Sequence, residues 1–374
     1  MSWSRFLAIL IKEFRQLRRD RLTFGMMVGV PVMQLILFGF AINSDPRNLP
    51  MAIVVADHSE FSRSLVAGLE NSSYFRVTDR PSGEAEGNRL LAEGRVQFLL
   101  VVPPDFSRRL LRGERPAVLL AADATDPAAS GNALAALNAI GRQALAHDLD
   151  GTLRMLRPVD PPFEFRIQRR YNPEGISRYN IVPGLIGVVL TMTMVMMTSL
   201  AMTRERETGT MENLLATPVR PVEVMAGKIV PYILIGHVQV TVIVIAARLL
   251  FDVPLMGSVI LLSLALLLFM AANLAIGFTF STIARNQLQA MQLTFFFFLP
   301  SMLLSGFMFP FRGMPRWAQM IGEALPLTHL LRIVRGIMLK GSGAAEIAGE
   351  LWPIAAFMIV AAMAALARYR QTLD

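Results

Sequence analysis

Two adjacent pairs, Asp57-His58 and His147-Asp148, come nearest to acid–base or metal chemistry in this chain. Neither has a third partner at a useful spacing. A zinc site needs three or four His, Cys or carboxylate donors, and the chain has 4 histidines and no cysteine. A catalytic nucleophile needs a base and an orienting group beside it, and no such set is present. Both pairs are read as loop or surface histidines. A phosphate-cradling loop needs G-x-x-x-x-G-K-[ST]. Residues 336–342 come closest, but Lys340 precedes Gly341, so no nucleotide site is read there. No catalytic residue, metal site or cofactor is expected.

The richest pattern is Arg204-Glu205-Arg206-Glu207-Thr208-Gly209-Thr210-Met211-Glu212-Asn213-Leu214-Leu215-Ala216-Thr217-Pro218. Alternating charge gives way to apolar residues. Gly209 at a helix start with Glu212 three residues on resembles a capping arrangement, although Gly is a weaker cap than Ser or Asp. Met211, Leu214 and Leu215 share one face of a short helix at 210–216, which Pro218 and Pro221 stop. An apolar knob flanked by carboxylates suits docking into a partner's groove. A polar loop that merely obeys the charge rule for membrane proteins is the other reading of the same residues.

The elements that must position this segment follow from composition. The chain has 374 residues, 53% hydrophobic and only 17% charged, with a formal net charge of +8 and a mean hydropathy of +0.47. A soluble protein usually carries about 25% charged residues. A disordered chain, a disulfide scaffold, a thiolate metal protein and an ordinary cytosolic enzyme are excluded. Six runs carry no charge: 22–42, 181–203, 229–247, 253–284, 286–311 and 351–367. A helix of about 20 residues crosses a hydrocarbon core of roughly 30 Å. Six transmembrane helices are therefore predicted, and soluble cores seldom hold such long apolar runs.

Lys and Arg near the span ends set the orientation. Arg5, Lys12, Arg15, Arg18, Arg19 and Arg21 place the N-terminus in the cytoplasm, and six crossings return the C-terminus to the same side. The four cytoplasmic pieces then carry 13 basic residues. Segment 312–349 blurs the rule, because Arg312, Arg316, Arg332, Arg335 and Lys340 lie on the outer side. Residues 43–178 hold 17 Arg, no Lys and 17 acidic residues. This neutral stretch reads as an extracytoplasmic α/β domain inserted between helices 1 and 2. The basic excess is a matter of membrane topology, so no nucleic-acid binding is inferred from it.

Within that domain, 51–56, 97–102, 117–122 and 163–170 read as strands, and 62–69, 84–93, 106–111 and 128–156 as helices. Residues 3–19 form a basic amphipathic pattern suited to the membrane interface. The six basic residues, the full-length apolar run and the absence of a small-residue cleavage site make the first span a retained anchor. In the other spans, Met192, Met194, Met196 and Met197 offer an adaptable lining. Phe295-Phe296-Phe297-Phe298 offers aromatic side chains for a gate. Lipid-facing bulk is the equal alternative, since four successive Phe point all around a helix. Pro300 is expected to break its span locally, and 312–340 to form short re-entrant helices. His237, Gln239 and Asn273 are expected to face protein rather than lipid.

Segment 204–218 with Gly227-Lys228 resembles the coupling-helix region of ABC-2 type exporter permeases. The drug-efflux-like branch of that family is matched by Tyr171-Asn172-Pro173-Glu174 with Val182-Pro183-Gly184, and by Ser305-Gly306-Phe307-Met308-Phe309-Pro310. It is matched again by Met314-Pro315-Arg316-Trp317, Leu325-Pro326-Leu327-Thr328-His329 and Arg332-Ile333-Val334-Arg335-Gly336. The layout of one span, an outer domain and five spans also fits. The resemblance implies a permease that does not hydrolyse ATP itself. Glu205, Glu207, Gly209, Thr210, Met211, Glu212, Leu214 and Leu215 would couple it to an ATPase. Met192, Met196, Phe295, Phe298 and Pro300 are candidates for the pathway or gate. Residues 3–19 would be the connecting helix. The expected partners are cytosolic ABC ATPase subunits, a second permease half (identical or paralogous) and membrane lipids, with a periplasmic adaptor left open. A multi-pass protein of the bacterial inner membrane is implied.

Two other readings compete. An ion-driven secondary transporter places acidic groups within its spans and shows internal repeats. The predicted spans hold no Asp or Glu, and no repeat is evident. A membrane-anchored receptor or assembly factor would not need the charged segment 204–215.

Overall fold

The structure is a computed structural model that describes residues 46–146, 148–149, 162–207 and 221–369. The expected interfacial helix, the first span and the segment 208–216 lie outside the described residues.

Five strands form one mixed sheet near the N-terminal end of the described chain. They are β1 (Leu49–Val55), β2 (Phe75–Asp79), β3 (Phe98–Val102), β4 (Ala117–Asp123) and β5 (Glu164–Arg170). The order is β2-β1-β3-β4-β5. β1 runs parallel to β2 and β3, β4 runs antiparallel to β3, and β5 runs parallel to β4. Four helices connect the strands: α1 (Glu60–Asn71), α2 (Glu84–Ala92), α3 (Phe106–Leu111) and α4 (Pro127–Ala144). Side chains alternate across each strand. Met51, Ile53, Phe98, Leu100, Val118 and Leu120 join a core with residues of α1, α3 and α4. Ala52, Leu99 and Ala121 face Leu90 and Leu91 of α2 on the opposite side. Burial on both faces explains why these strands read as unbroken apolar runs.

The sheet corrects two expectations. β2 was not foreseen, because a five-residue edge strand with alternating burial gives little signal. The helix expected over 128–156 ends at Ala144. Residues 145–146 form a turn, and 150–156 lie outside the described residues.

Among the described residues, five helices are long and apolar enough to cross a membrane. They belong to α5 (Ser177–Glu207), α6 (Pro221–Phe251), α7 (Val259–Ile283), α8 (Gln287–Leu304) and α11 (Ala344–Tyr369). Two short helices, α9 (Arg316–Glu323) and α10 (Pro326–Arg335), stand between α8 and α11. Helix α5 is the most buried of the five, and α6 and α11 are the most exposed. α7 packs against α5 and α11, and α8 against α5. Small residues permit these approaches. At Gly277 a β-carbon would stand 2.8 Å from the Val195 carbonyl oxygen and 2.9 Å from Thr198 Cβ.

Several polar groups inside the bundle are satisfied locally, while Ser199 Oγ, Asn273 Oδ1 and Gln292 Oε1 are buried without a partner. The Thr279 hydroxyl of α7 donates to the Ala361 carbonyl of α11 at 3.0 Å. The Thr193 hydroxyl donates to Gln239 Oε1 at 3.1 Å. His237 Nδ1 lies 3.0 Å from the Ile233 carbonyl and Nε2 lies 3.1 Å from Ser263 Oγ. A carbonyl only accepts, so Nδ1 carries a proton and, in the neutral ring, Nε2 accepts from Ser263. Asn273 is fully buried. Two further corrections concern the helices. α8 continues through Pro300 to Leu304 instead of breaking. α11 begins at Ala344 rather than Leu351, which brings Glu346 and Glu350 into the helix. Glu346 accepts from the Gly343 backbone N–H, a favourable place for an acid at a helix N-terminus.

Candidate functional site

The motifs that stand apart in the sequence meet in space at the end of the bundle nearest the sheet. Tyr171-Asn172-Pro173-Glu174 forms the turn from β5 into α5. Buried Asn172 bonds both the backbone N–H and the carbonyl of Ile176, at 2.9 and 3.0 Å. Tyr171 takes a left-handed φ of 69°. Its ring faces Lys340 Nζ at 5.1 Å. Phe307 fills the space that a side chain at Gly184 would need, its ring 2.6 Å from where a β-carbon would stand. Residues 336–340 form a π-helical turn, closed by Gly341 at a φ of 73°. The segment nearest to a phosphate loop in sequence is thus a helix terminus, with its lysine directed elsewhere.

That lysine ties the bundle to the sheet. Lys340 Nζ lies 2.6 Å from Asp123 Oδ2 at the end of β4, and both side chains are about nine-tenths buried. Asp123 also accepts from the Thr125 N–H and hydroxyl at 3.0 and 2.8 Å. Nearby, Arg312 donates to the Gly94 carbonyl at 3.1 Å, and Arg335 donates to the Gly306 carbonyl at 3.2 Å. Three of the five basic residues that blurred the charge rule are therefore engaged in structure here.

A cavity of about 350 Å³ lies between the sheet and the short helices, lined by both signs of charge, including Asp123, Arg312, Glu323, Arg335, Lys340 and Glu350. On its wall, Arg332 reaches Glu323 Oε1 at 2.5 Å and Glu350 Oε2 at 3.2 Å. Buried His329 places Nδ1 2.5 Å from Glu350 Oε2 and Nε2 2.8 Å from the Glu323 carbonyl. Both partners only accept, so both ring nitrogens donate and the ring is an imidazolium. Burial alone lowers the His329 pKa; the bonds to Glu350 and the Glu323 carbonyl outweigh it and raise the pKa above its ordinary 6.5. The stability this network contributes is full below pH 6.5 and is lost as pH rises through the folded value. His329→Gln is expected to cost about 1 kcal/mol below neutrality and to flatten this dependence. Thermal unfolding in detergent from about pH 6 to about pH 9 checks it.

At the opposite end, α5 finishes at Glu207. Its carboxylate accepts from the Gln287 backbone N–H at 2.8 Å and from Gln287 Nε2 at 2.6 Å. Bonds from the side chain and then the backbone of Gln287 hold the Glu207 carboxyl below the usual range. Glu205, two residues earlier, is half-buried. Gly209, Thr210, Met211, Glu212, Leu214 and Leu215 lie outside the described residues.

The candidate pathway residues lie on α5 and α8 and differ in exposure. Met192 and Met196 are half-buried on α5. Phe295 is 37% exposed, whereas Phe298 is 9% exposed and packs into this chain's own core. Phe297 stacks on Phe357 at 6.2 Å. Asp57, at the end of β1, is a loop anchor. Its carboxylate accepts from Ser59 and from the N–H and hydroxyl of Ser107. Burial disfavours the charge, yet these bonds bring the pKa down to about 2. His58 is exposed beside it. Among the described residues no group of three metal-binding side chains occurs.

A spanning helical bundle joined to a mixed sheet defines a membrane protein with a built junction at one end and a tied helix pair at the other. The model of the ABC-2 family of transporter proteins matches residues 21–367, and the chain belongs to that family. It is 29% identical over 347 residues to the probable multidrug ABC transporter permease YbhS of Escherichia coli K12, covering 91% of this chain and 90% of that one. It is 27% identical over 367 residues to the probable multidrug ABC transporter permease YbhR of the same organism, covering 98% of each. It is 29% identical over 395 residues to the inner membrane transport permease YhhJ of Escherichia coli K12, covering 97% of this chain and 96% of that one.

Proposed function

We propose that this chain is the permease half of an ATP-driven exporter. It moves a hydrophobic or amphipathic, drug-like substrate out across the bacterial inner membrane, worked by a separate cytosolic ABC ATPase. The observation that carries this reading is similarity along almost the whole chain to proteins named as ABC transporter permeases. In the proposed topology the sheet lies outside the cytoplasm, the Glu207 end of α5 lies inside it, and a sixth span at 22–42 precedes the sheet. The grouping of chain ends supports this. The loop segments 252–258 and 305–343 gather on the sheet side, and 284–286 lies with Glu207 at the other end.

The ATPase contacts are Glu205, Glu207, Gly209, Thr210, Met211, Glu212, Leu214 and Leu215. ATP closes the ATPase dimer, the docked segments move, and packed helices switch between two arrangements. A second half, identical or paralogous, completes the path. Met192, Met196, Phe295, Phe298 and Pro300 are its proposed pathway or gate residues, with Phe295 the most open to that second half. The experiment is ATP turnover and co-purification with ATPases encoded beside the chain. Glu212→Arg and Leu215→Asp are expected to lose complex formation and permease-dependent turnover. Unchanged complex and turnover in both variants would refute the docking role.

A further inference from the structure

Glu207 ends α5 just before the segment proposed to dock on the ATPase, yet both of its oxygens are bonded inside the permease. One accepts the backbone N–H of Gln287 and the other its side-chain amide. Gln287 is the first residue of α8, which carries Phe295, Phe298 and Pro300 from its middle onward. The first four N–H groups of a helix have no partner within it. Here Asn286 accepts from the Gln289 N–H at 2.8 Å, and Glu207 takes that of Gln287 from 80 residues away. The Gln289 side chain accepts from the Arg285 N–H at 2.8 Å, fixing the short turn from α7. A carboxylate also suits the positive end of the α8 dipole.

We infer that the Glu207–Gln287 contact is an internal transmission clasp, carrying displacement of the docking segment into α8. The inference rests on the exporter reading above. An exposed contact of this kind contributes little to stability. Its value is positional. It joins the last residue of α5 to the first residue of α8, where any pull on the segment after Glu207 enters the bundle. α5 and α8 also pack along their length, so a clasp at the ends keeps them moving as one body. Glu207 is therefore a positioning residue whose bonded partner is α8, whatever it also offers to the ATPase. Gln287 is a second positioning residue, with no assigned role from sequence.

The test uses the permease–ATPase complex in nanodiscs. The chain has no cysteine, so single cysteines introduced at the exposed Leu288 of α8 and Ile260 of α7 take spin labels without interference. The interlabel distance is measured without nucleotide and with ATP plus vanadate. The parent complex is expected to show a nucleotide-dependent shift of the α8 label. Gln287→Ala is expected to abolish the shift while ATPase binding and unfolding temperature stay at parent values, and Glu207→Ala is expected to abolish the shift as well. The exchange Glu207→Gln with Gln287→Glu keeps the backbone N–H of residue 287 as a donor to the side-chain oxygen at 207 and reverses only the side-chain bond, and it is expected to restore the shift. A full shift in both alanine variants overturns the clasp. Loss in Glu207→Ala but not in Gln287→Ala also overturns it, and assigns Glu207 to ATPase contact alone. A parent chain that binds no ATPase sinks the exporter reading itself, an outcome distinct from either.

Discussion

Lys340→Ala is expected to destabilise the protein by about 3–5 kcal/mol, because it strands a buried carboxylate. Asp123 lies at the end of β4 with its side chain only 9% exposed, and Lys340 is the charge that neutralises it. The lysine is itself fully engaged, at 2.6 Å from Asp123, 3.5 Å from the Leu91 carbonyl and 5.1 Å from the Tyr171 ring. Asp123→Ala is expected to be as damaging, since it leaves an ammonium in the same place. Replacing both, as Asp123→Leu with Lys340→Met, is expected to recover most of the loss, because a buried pair is worth little more than a well-packed apolar pair. Chemical or thermal unfolding in detergent checks all three values. Additive losses in the double variant would show that the two side chains act separately. Because Lys340 lies at the junction, limited proteolysis of the single variants is expected to cut between the sheet and the spans faster than in the parent.

Gly277→Leu is the second large effect. The substitution forces a side chain against the α5 backbone, with the Val195 carbonyl oxygen 2.8 Å from the new β-carbon. A backbone oxygen inside a helix cannot swing away as a side-chain tip can. Overpacking of this kind costs about 3 kcal/mol at the upper end of its usual range. The strain falls on the contact of α7 with the most buried span, so the α7–α11 bond from Thr279 to Ala361 is strained with it. The measurement is the unfolding temperature of the detergent-purified chain, with Gly277→Ala as a milder companion. Equal stability of Gly277→Leu and the parent would show that α5 and α7 are further apart than the structure has them.

The limits of the sequence are visible in particular residues. β1, β3 and β4 were legible because burial on both faces leaves an unbroken apolar run, and β2 was not because its side chains alternate in burial at the edge, two of the five exposed. Five spans were legible because lipid and protein interior alike exclude charge. Their ends were not, since charges such as Glu350 sit inside a helix when paired by His329 and Arg332. The motifs were recognised as local patterns. Their convergence was not, because it is made by contacts between residues 217 and 218 apart, Lys340 with Asp123 and Arg312 with Gly94. The same holds for Glu207. The family resemblance marked it as a docking residue, and only the fold brings Gln287 to it across 80 positions.

The most direct measurement is transport into the interior of inside-out proteoliposomes, using a lipophilic fluorescent cation as the probe. The account predicts uphill accumulation only when the ATPase and ATP are both supplied, and none when a proton or sodium gradient is imposed on the permease alone. Accumulation driven by such a gradient, with no ATPase present, would contradict it.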